Sequence, residues 1–336
     1  MNEHPSLETA TSGSIRFNTD SSKLEIYNGE QWFEIDSTSP ELRTGGTRGL
    51  FISGQTDNEI DVINIASTGN ATDFGDVHYS TSNLDGSSDR TRAVFSGGYG
   101  NEISKLQIES QGNSSDFGDL TAGRGNIMCA ADRTRGLFMG GYSPSNPGGM
   151  NNIDYVTIQS EGNAVDFGDI RDRNYEGSGM ASPVRAIATG ADSTPGNIGQ
   201  AVGFIDSVII STLGNAVEFG EQHTFNIWQR ACASNAVRGL TMGGRQNPTE
   251  TNAIEFMSMS SAGKAKDFGD LTRIGRYQFA VASPTRVCNA GGYSAPSSTD
   301  IIDYVQIMTT GNAVDFGNLT SSTNKGASAS NGHGGL

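Results

Sequence analysis

A chain of 336 residues with 45 glycines and 35% hydrophobic residues is rich in turns and modest in apolar content, a balance that favours many short strands over helices. Its net charge of −15 argues against nucleic acid or an anionic membrane surface as a partner. The cysteines Cys129, Cys232 and Cys288 have no CxxC or Cys/His spacing, which argues against a disulfide framework and a zinc site; Cys129 and Cys232, six residues before Arg135 and Arg238 in small-residue runs, read as free buried thiols.

The first residues, MNEHPSLETA, carry neither the basic nor the apolar region of a signal peptide, and no run approaches the ~18 apolar residues of a membrane span. Synthesis and folding in a cytosol are therefore expected. Residues 1–12 read as an N-terminal tail. Residues 13–36 (GSIRFNTDSSKLEIYNGEQWFEID) contain three alternating runs, at 15–18, 23–27 and 31–35, separated by polar turns. They predict a three-stranded β-meander, too small to bury a core by itself. It is nonetheless dense in large apolar groups, among them Phe17, Leu24, Ile26, Tyr27, Trp32 and Phe33. Such a piece is expected to pack on something else. Residues 37–46 (STSPELRTGG) read as a linker.

From residue 47 to 336 the chain is a repeat. The phenylalanine of a DFG-like element recurs at Phe74, Phe117, Phe167, Phe219, Phe268 and Phe316. An arginine that opens an apolar run recurs in step at Arg48, Arg92, Arg135, Arg185, Arg238 and Arg286. Each unit parses into four antiparallel strands. In the third, RGLFMGGY comes first, then IDYVTIQS and NAVDFGD, then a small-residue strand over 177–181 that leads to the next arginine. Four strands in a period of ~40–50 residues predict a β-propeller, and six copies of each marker predict six blades. The chain enters on the second strand of a blade, so its last small-residue run, at 325–331, is expected to pair beside 50–54 and complete the first blade.

The Gly-Gly-Tyr that closes the arginine-led strand, at Gly97-Gly98-Tyr99, Gly140-Gly141-Tyr142 and Gly291-Gly292-Tyr293, is similar to the double glycine of kelch repeats. The usual kelch tryptophan is absent, with the DFG phenylalanine in its place. Residues 47–336 thus resemble a divergent kelch-like propeller, and their wording (IASTGNATDFGD, RGLFMGGY) resembles propeller proteins of marine tailed bacteriophages. Residues 13–36 resemble a short GxIRFNTDxxKLEIYNGxxW module of phage tail-fibre and other virion proteins. The resemblance implies a virion location and attachment to other virion proteins through residues 1–46, with Phe17, Tyr27, Trp32 and Phe33 as contacts. It also implies the trimeric assembly common among fibre modules, and a propeller facing the host surface.

Residues present in every unit are expected to hold the fold. The DFG phenylalanines should pack between blades, where burial of each is worth roughly 1.5–3 kcal/mol. The repeated acids Asp73, Asp116, Asp166, Glu218, Asp267 and Asp315 are expected to face the repeated arginines in a ring of forked contacts. The Gly-Asn pairs that precede five of the six DFG-like elements, with Lys264 in place of asparagine before the fifth, read as hairpin turns.

Strand alternation sorts the loops onto two faces. One carries short, repetitive loops. The other carries the long, dissimilar loops after the second strands and those entering the small-residue strands. On that variable face His78, Tyr79, Arg124, Arg171, Arg173, Tyr175, His223, Phe225, Trp228, Arg273, Arg276 and Tyr277 stand out. Of these, Tyr79, Arg124, Arg173, Tyr175, Phe225, Trp228, Arg276 and Tyr277 are the candidate ligand-binding residues, because aromatics beside cations suit a carbohydrate or a protein loop. Catalysis has little to stand on: the chain has four histidines, and no HExxH, nucleophile elbow or P-loop. No metal or cofactor is expected. Non-catalytic binding of a host-surface receptor or glycan leads, ahead of a purely structural or decorative role in capsid, neck or collar, with a polysaccharide-degrading enzyme third.

Overall fold

The computed structural model describes residues 10–18, 23–35, 46–54, 58–79, 82–146, 148–189, 203–225, 227–246 and 248–336. Most of the expected tail, nearly all of the linker and the variable loop over 190–202 lie outside them. The described residues contain no helix, and their strands pair almost entirely antiparallel. The contacts divide the chain into two compact units, Met1–Thr44 and Gly45–Leu336.

In the first unit Ile15–Asn18, Lys23–Tyr27 and Trp32–Ile35 form a three-stranded antiparallel sheet. The register pairs Phe17 with Leu24, and Ile15 with Ile26, which in turn faces Phe33. Because side chains alternate across a pleat, all five lie on one face, and all five are exposed, Phe17 by 57% and Phe33 by 45%. Tyr27 and Trp32 take the opposite face. There Tyr27 is buried, its ring 5.2 Å from that of Trp32, and the Arg16 guanidinium lies 4.2 Å over Trp32 while Arg16 Nε donates to Glu25 at 2.6 Å. The four expected attachment residues are thus split by the pleat. Phe17 and Phe33 are free to meet a partner, whereas Tyr27 and Trp32 hold the sheet's other side together.

Among the described residues the second unit contains six sheets built on the same four-strand run, beside a two-stranded ribbon of Arg245–Gln246 and Thr249–Glu250. In the third, Met128–Ala131, Arg135–Met139, Met150–Thr157 and Val165–Asn174 lie side by side. The C-terminal strand is Ala327–Ser330, and it pairs with Arg48–Ile52, Ala327 opposite Ile52 and Ser330 opposite Gly49. The first strands are rich in small residues, as in Ala231–Ser234 (ACAS) and Ala327–Ser330 (ASAS), which lets these strands pack closely, with Met128, Met180 and Phe279 as the large exceptions. All three cysteines are free and buried, Cys129 and Cys232 on first strands and Cys288 on a second strand.

Each DFG phenylalanine sits in one of six apolar clusters that join two successive sheets. The cluster around Phe316 joins the last sheet, through Val281 and Ile302, to Phe51 and Ile63 of the first. One expectation about the repeated residues is corrected and one is extended. First, the repeated arginines do not form the ring of carboxylate contacts. Instead five of the six reach main-chain carbonyls of the following sheet: Arg48 donates to Ile108 O, Arg92 to Ile158 O, Arg135 to Ile210 O, Arg238 to Ile307 O and Arg286 to Ile65 O, while Arg185 donates to Ser207 Oγ at 3.1 Å. Arg135, Arg238 and Arg286 also lie over the rings of Tyr155, Phe256 and Tyr304. A carbonyl at a strand end is a fixed acceptor, whereas the repeated acids stand largely exposed in water, and of these Glu218 pairs with Arg171.

Second, the Gly-Asn pairs, which lie in the loops between the paired third and fourth strands as expected, also act as clasps between sheets. Gly112 N donates to Phe74 O at 3.0 Å, and Asn113 Oδ1 accepts from Asp76 N at 3.0 Å; Gly162-Asn163, Gly214-Asn215 and Gly311-Asn312 repeat both bonds on the sheet before them. Gly69-Asn70 of the first sheet makes them with Phe316 O and Asn318 N of the last. The DFG glycine lies beneath this clasp at φ near +150°, and a Cβ on Gly75 would stand 2.5 Å from Gly112 O, one on Gly317 2.4 Å from Gly69 O. Only glycine fits so close to a neighbouring backbone.

Candidate functional site: a ring of six left-handed residues around a small cavity

The loops entering the first strands and those leaving the second strands do share one face. Backbone bridges join Gly125 to Tyr142, Trp228 to Arg245 and Arg276 to Tyr293. What anchors these loops is a set of buried acids on the third strands that the sequence reading did not single out. Asp61, Asp154, Asp206, Glu255 and Asp303 follow the isoleucine of five of the six third strands, Ser104 taking the place in the second sheet, and each acid accepts bonds from the loop or strand end leaving the preceding sheet. Asp61 holds Thr320, Asp154 holds Thr121 and Arg124, Asp206 holds Arg171, Glu255 holds Arg230 and the amides of His223 and Thr224, and Asp303 holds Thr272 and Arg273. The repeated Ile-Asp/Glu dipeptide was the available signal.

These anchors re-sort the expected binding residues. Arg124 is fully buried, its Nη2 3.0 Å from the equally buried Asp154 and 3.2 Å from Phe138 O. It is a strut inside the fold, closed off from the surface. Trp228 is buried at 5% exposure beneath Arg245, and Tyr175 is buried against the ring of Tyr142 at 5.4 Å. These three are corrected, because in so tightly bridged a loop the large side chains turn inward. Tyr79 is half-buried with its ring edge-on to His78, and burial raises its hydroxyl above the usual tyrosine range. Arg276 is half-buried between the rings of Tyr277 and Tyr293, near Glu250. Arg173 is exposed, and Phe225 is 45% exposed with Lys264 Nζ 5.1 Å from its ring.

Tyr277 leads to a feature that spans all six sheets. Two residues before each first strand the backbone turns left-handed: Asn83 (φ 60), Asn126 (53), Glu176 (58), Gln229 (59), Tyr277 (55) and Lys325 (58). Non-glycine residues in this region cost of order 1–2 kcal/mol each and persist only where the surroundings over-determine them. Here main-chain hydrogen bonds link each to the next. Asn126 N donates to Asn83 O, Glu176 N to Asn126 O, Gln229 N to Glu176 O, Tyr277 N to Gln229 O and Lys325 N to Tyr277 O, and Leu84 N donates to Lys325 O, all within 2.9–3.2 Å. One backbone geometry thus presents six positions carrying five kinds of side chain. Tyr277 Oη donates to Glu176 Oε1 at 2.9 Å, and Gln229 Nε2 donates to Glu176 Oε2 at 2.7 Å and to Tyr277 Oη. Burial and the Glu176 carboxylate hold the Tyr277 hydroxyl well above the usual tyrosine range.

The six residues line one part of a cavity of about 110 Å³ whose wall is the small-residue first strands. Inside it Asp85 accepts from Gly86 N and Cys129 N, each at 2.8 Å, and burial pushes its carboxyl up to about 7. Burial holds the Cys129 and Cys232 thiols high, Cys232 at about 12, so both stay protonated and unreactive. Beyond the first strands the chain's last residues cross the sheets. Gly334 N donates to Ser234 O, His333 Nε2 donates to Ser88 O at 2.6 Å, and Arg133 donates to Leu336 O. Among the described residues no group of three or more His, Cys, Asp or Glu side chains is placed to hold a metal ion.

No protein-family model and no curated protein matches the chain. Among solved structures it is similar in fold to one titled "Structure of YjhT", a kelch-like β-propeller, with a TM-score of 0.62 over 74% of this chain and 87% of that one, at 13% identity. The molecule is therefore an all-β protein of antiparallel four-stranded sheets, with a fold of that kind.

Proposed function

We propose that the chain is a virion protein of a tailed bacteriophage whose second unit is a closed six-bladed kelch-like propeller that binds a host-surface receptor or glycan without catalysis. The first unit attaches it to other virion proteins, as part of a homotrimeric fibre. The closed ring is supported by the pairing of Ala327–Ser330 with Arg48–Ile52 and by the clasp of Gly69-Asn70 on Phe316 and Asn318. Attachment through the first unit is supported by the open apolar face of Ile15, Phe17, Leu24, Ile26 and Phe33.

The observation that carries the binding role is the contrast within one face: a backbone repeated six times carries side chains that largely do not repeat. Recognition is built that way, on variable positions held by a rigid frame. Phe225 and Arg173 are the expected outer contacts, because they are exposed. The test is binding of the full chain to host cells and to a glycan array. Binding that falls in Phe225→Ala and Arg173→Ala without a change in melting temperature supports the reading. Absence of any host binding favours a decorative role instead, the reading to which the burial of Arg124, Tyr175 and Trp228 lends weight. Depolymerisation of host polysaccharide by the wild type overturns the non-enzymatic assignment.

A further inference from the structure

Three groups around the cavity lack the partners their chemistry calls for. Gln229 is 6% exposed, and its Nε2 serves Glu176 and Tyr277 while its Oε1 has no donor. That orientation is settled by the network: Tyr277 Oη donates to Glu176, so it must accept from the Gln229 amide. Lys325 has its Nζ 4.6 Å from the Tyr277 ring and no carboxylate within ion-pair distance among the described residues. Asp85 accepts two amide bonds but has no cation, although a carboxylate oxygen has lone pairs to spare. Lys325 O accepts from Leu84 N, so the strands bearing the cation and the buried carboxyl are neighbours.

One cation and two acceptors around a common space call for a ligand with the opposite pattern. A metal ion meets too few anionic ligands here, and a sugar chain is too large for about 110 Å³ when pockets for drug-sized ligands begin near ~300 Å³. We propose that the cavity binds a small zwitterion of the size of glycine or β-alanine, its carboxylate on Lys325 and its ammonium on Asp85 and Gln229 Oε1. The Glu176–Tyr277–Gln229 bonds fix the Gln229 amide so that Oε1 stays available. The assignment is independent of the virion reading, and either can fail alone.

The test is titration of the full chain with β-alanine, with methylammonium and acetate as its two halves, followed by calorimetry and by melting temperature. β-Alanine is expected to bind at one site and raise the melting temperature, with each half at least tenfold weaker. Asp85→Asn and Lys325→Gln are each expected to weaken β-alanine at least tenfold. Saturation-transfer signals from β-alanine on the wild type supply a readout that does not depend on the variants folding. The proposal is overturned if neither β-alanine nor glycine binds the wild type, if acetate or methylammonium binds as tightly as β-alanine, or if both variants bind it unchanged.

Discussion

Replacing Arg124 by methionine separates a strut from a binding residue. The guanidinium and its partner Asp154 are both fully buried, 3.0 Å apart. Without Arg124 the carboxylate keeps only the Thr121 amide and hydroxyl, at 2.8–2.9 Å, for a full charge cut off from water. Breaking a buried pair from one side costs about 3–5 kcal/mol. In a unit the size of Gly45–Leu336 that corresponds to a fall of about 5–8 °C in melting temperature. Arg124→Met combined with Asp154→Leu removes both charges and should recover most of the loss, since apolar replacements for a buried pair are often neutral. Arg173→Ala, on an exposed side chain, should stay within about 0.5 kcal/mol of the wild type. Differential scanning calorimetry on the four proteins reads all of this. A melting temperature for Arg124→Met within 1 °C of wild type, or a double variant worse than the single by the full cost again, refutes the reasoning.

Gly317→Ala should destabilise by roughly 2 kcal/mol or more, because its Cβ would stand 2.4 Å from Gly69 O, whereas Gly69→Ala, with nothing within 4 Å, should cost only its backbone strain; urea unfolding compares the two. The His333 ring, held neutral by burial with its pKa below the ordinary 6.5, adds stability that is present above about pH 6.5 and lost as the unfolded chain protonates below it. His333→Gln should therefore flatten the fall in unfolding free energy between pH 7 and pH 5, and an unchanged slope counts against it. Asp85 works in the opposite direction: with its pKa raised from 3.8 to about 7, stability is fully present below 3.8 and is lost as pH rises through 7. Asp85→Asn should gain on the wild type between pH 5 and pH 8 in the same assay. Deleting residues 325–336 removes the strand that covers Leu50 and Ile52 and should replace one cooperative unfolding transition by a broad one, followed by circular dichroism.

The sequence by itself determined the elements. Period-two alternation and the two markers located the strands, because such patterns are read from one strand at a time, but not their ends: the arginine marks the start of Arg135–Met139, whereas IDYVTIQS begins three residues inside Met150–Thr157 and NAVDFGD stops short of the end of Val165–Asn174. It also located the face where the units cease to repeat. What it could not determine were contacts between neighbours in space. A Gly-Asn pair in a hairpin looks the same whether or not it clasps the next sheet, and Arg48 reaches Ile108 across 60 residues of chain. Likewise the alternation in IRFN shows two faces and leaves open which of them is covered. Burial turned three of the eight expected binding side chains, Arg124, Tyr175 and Trp228, inward, and left-handed backbone at Asn83, Asn126, Glu176, Gln229, Tyr277 and Lys325 has no signature in residue type, since only two of the six are asparagine. That ring exists because six loops hydrogen-bond to one another, a condition that tertiary structure alone imposes.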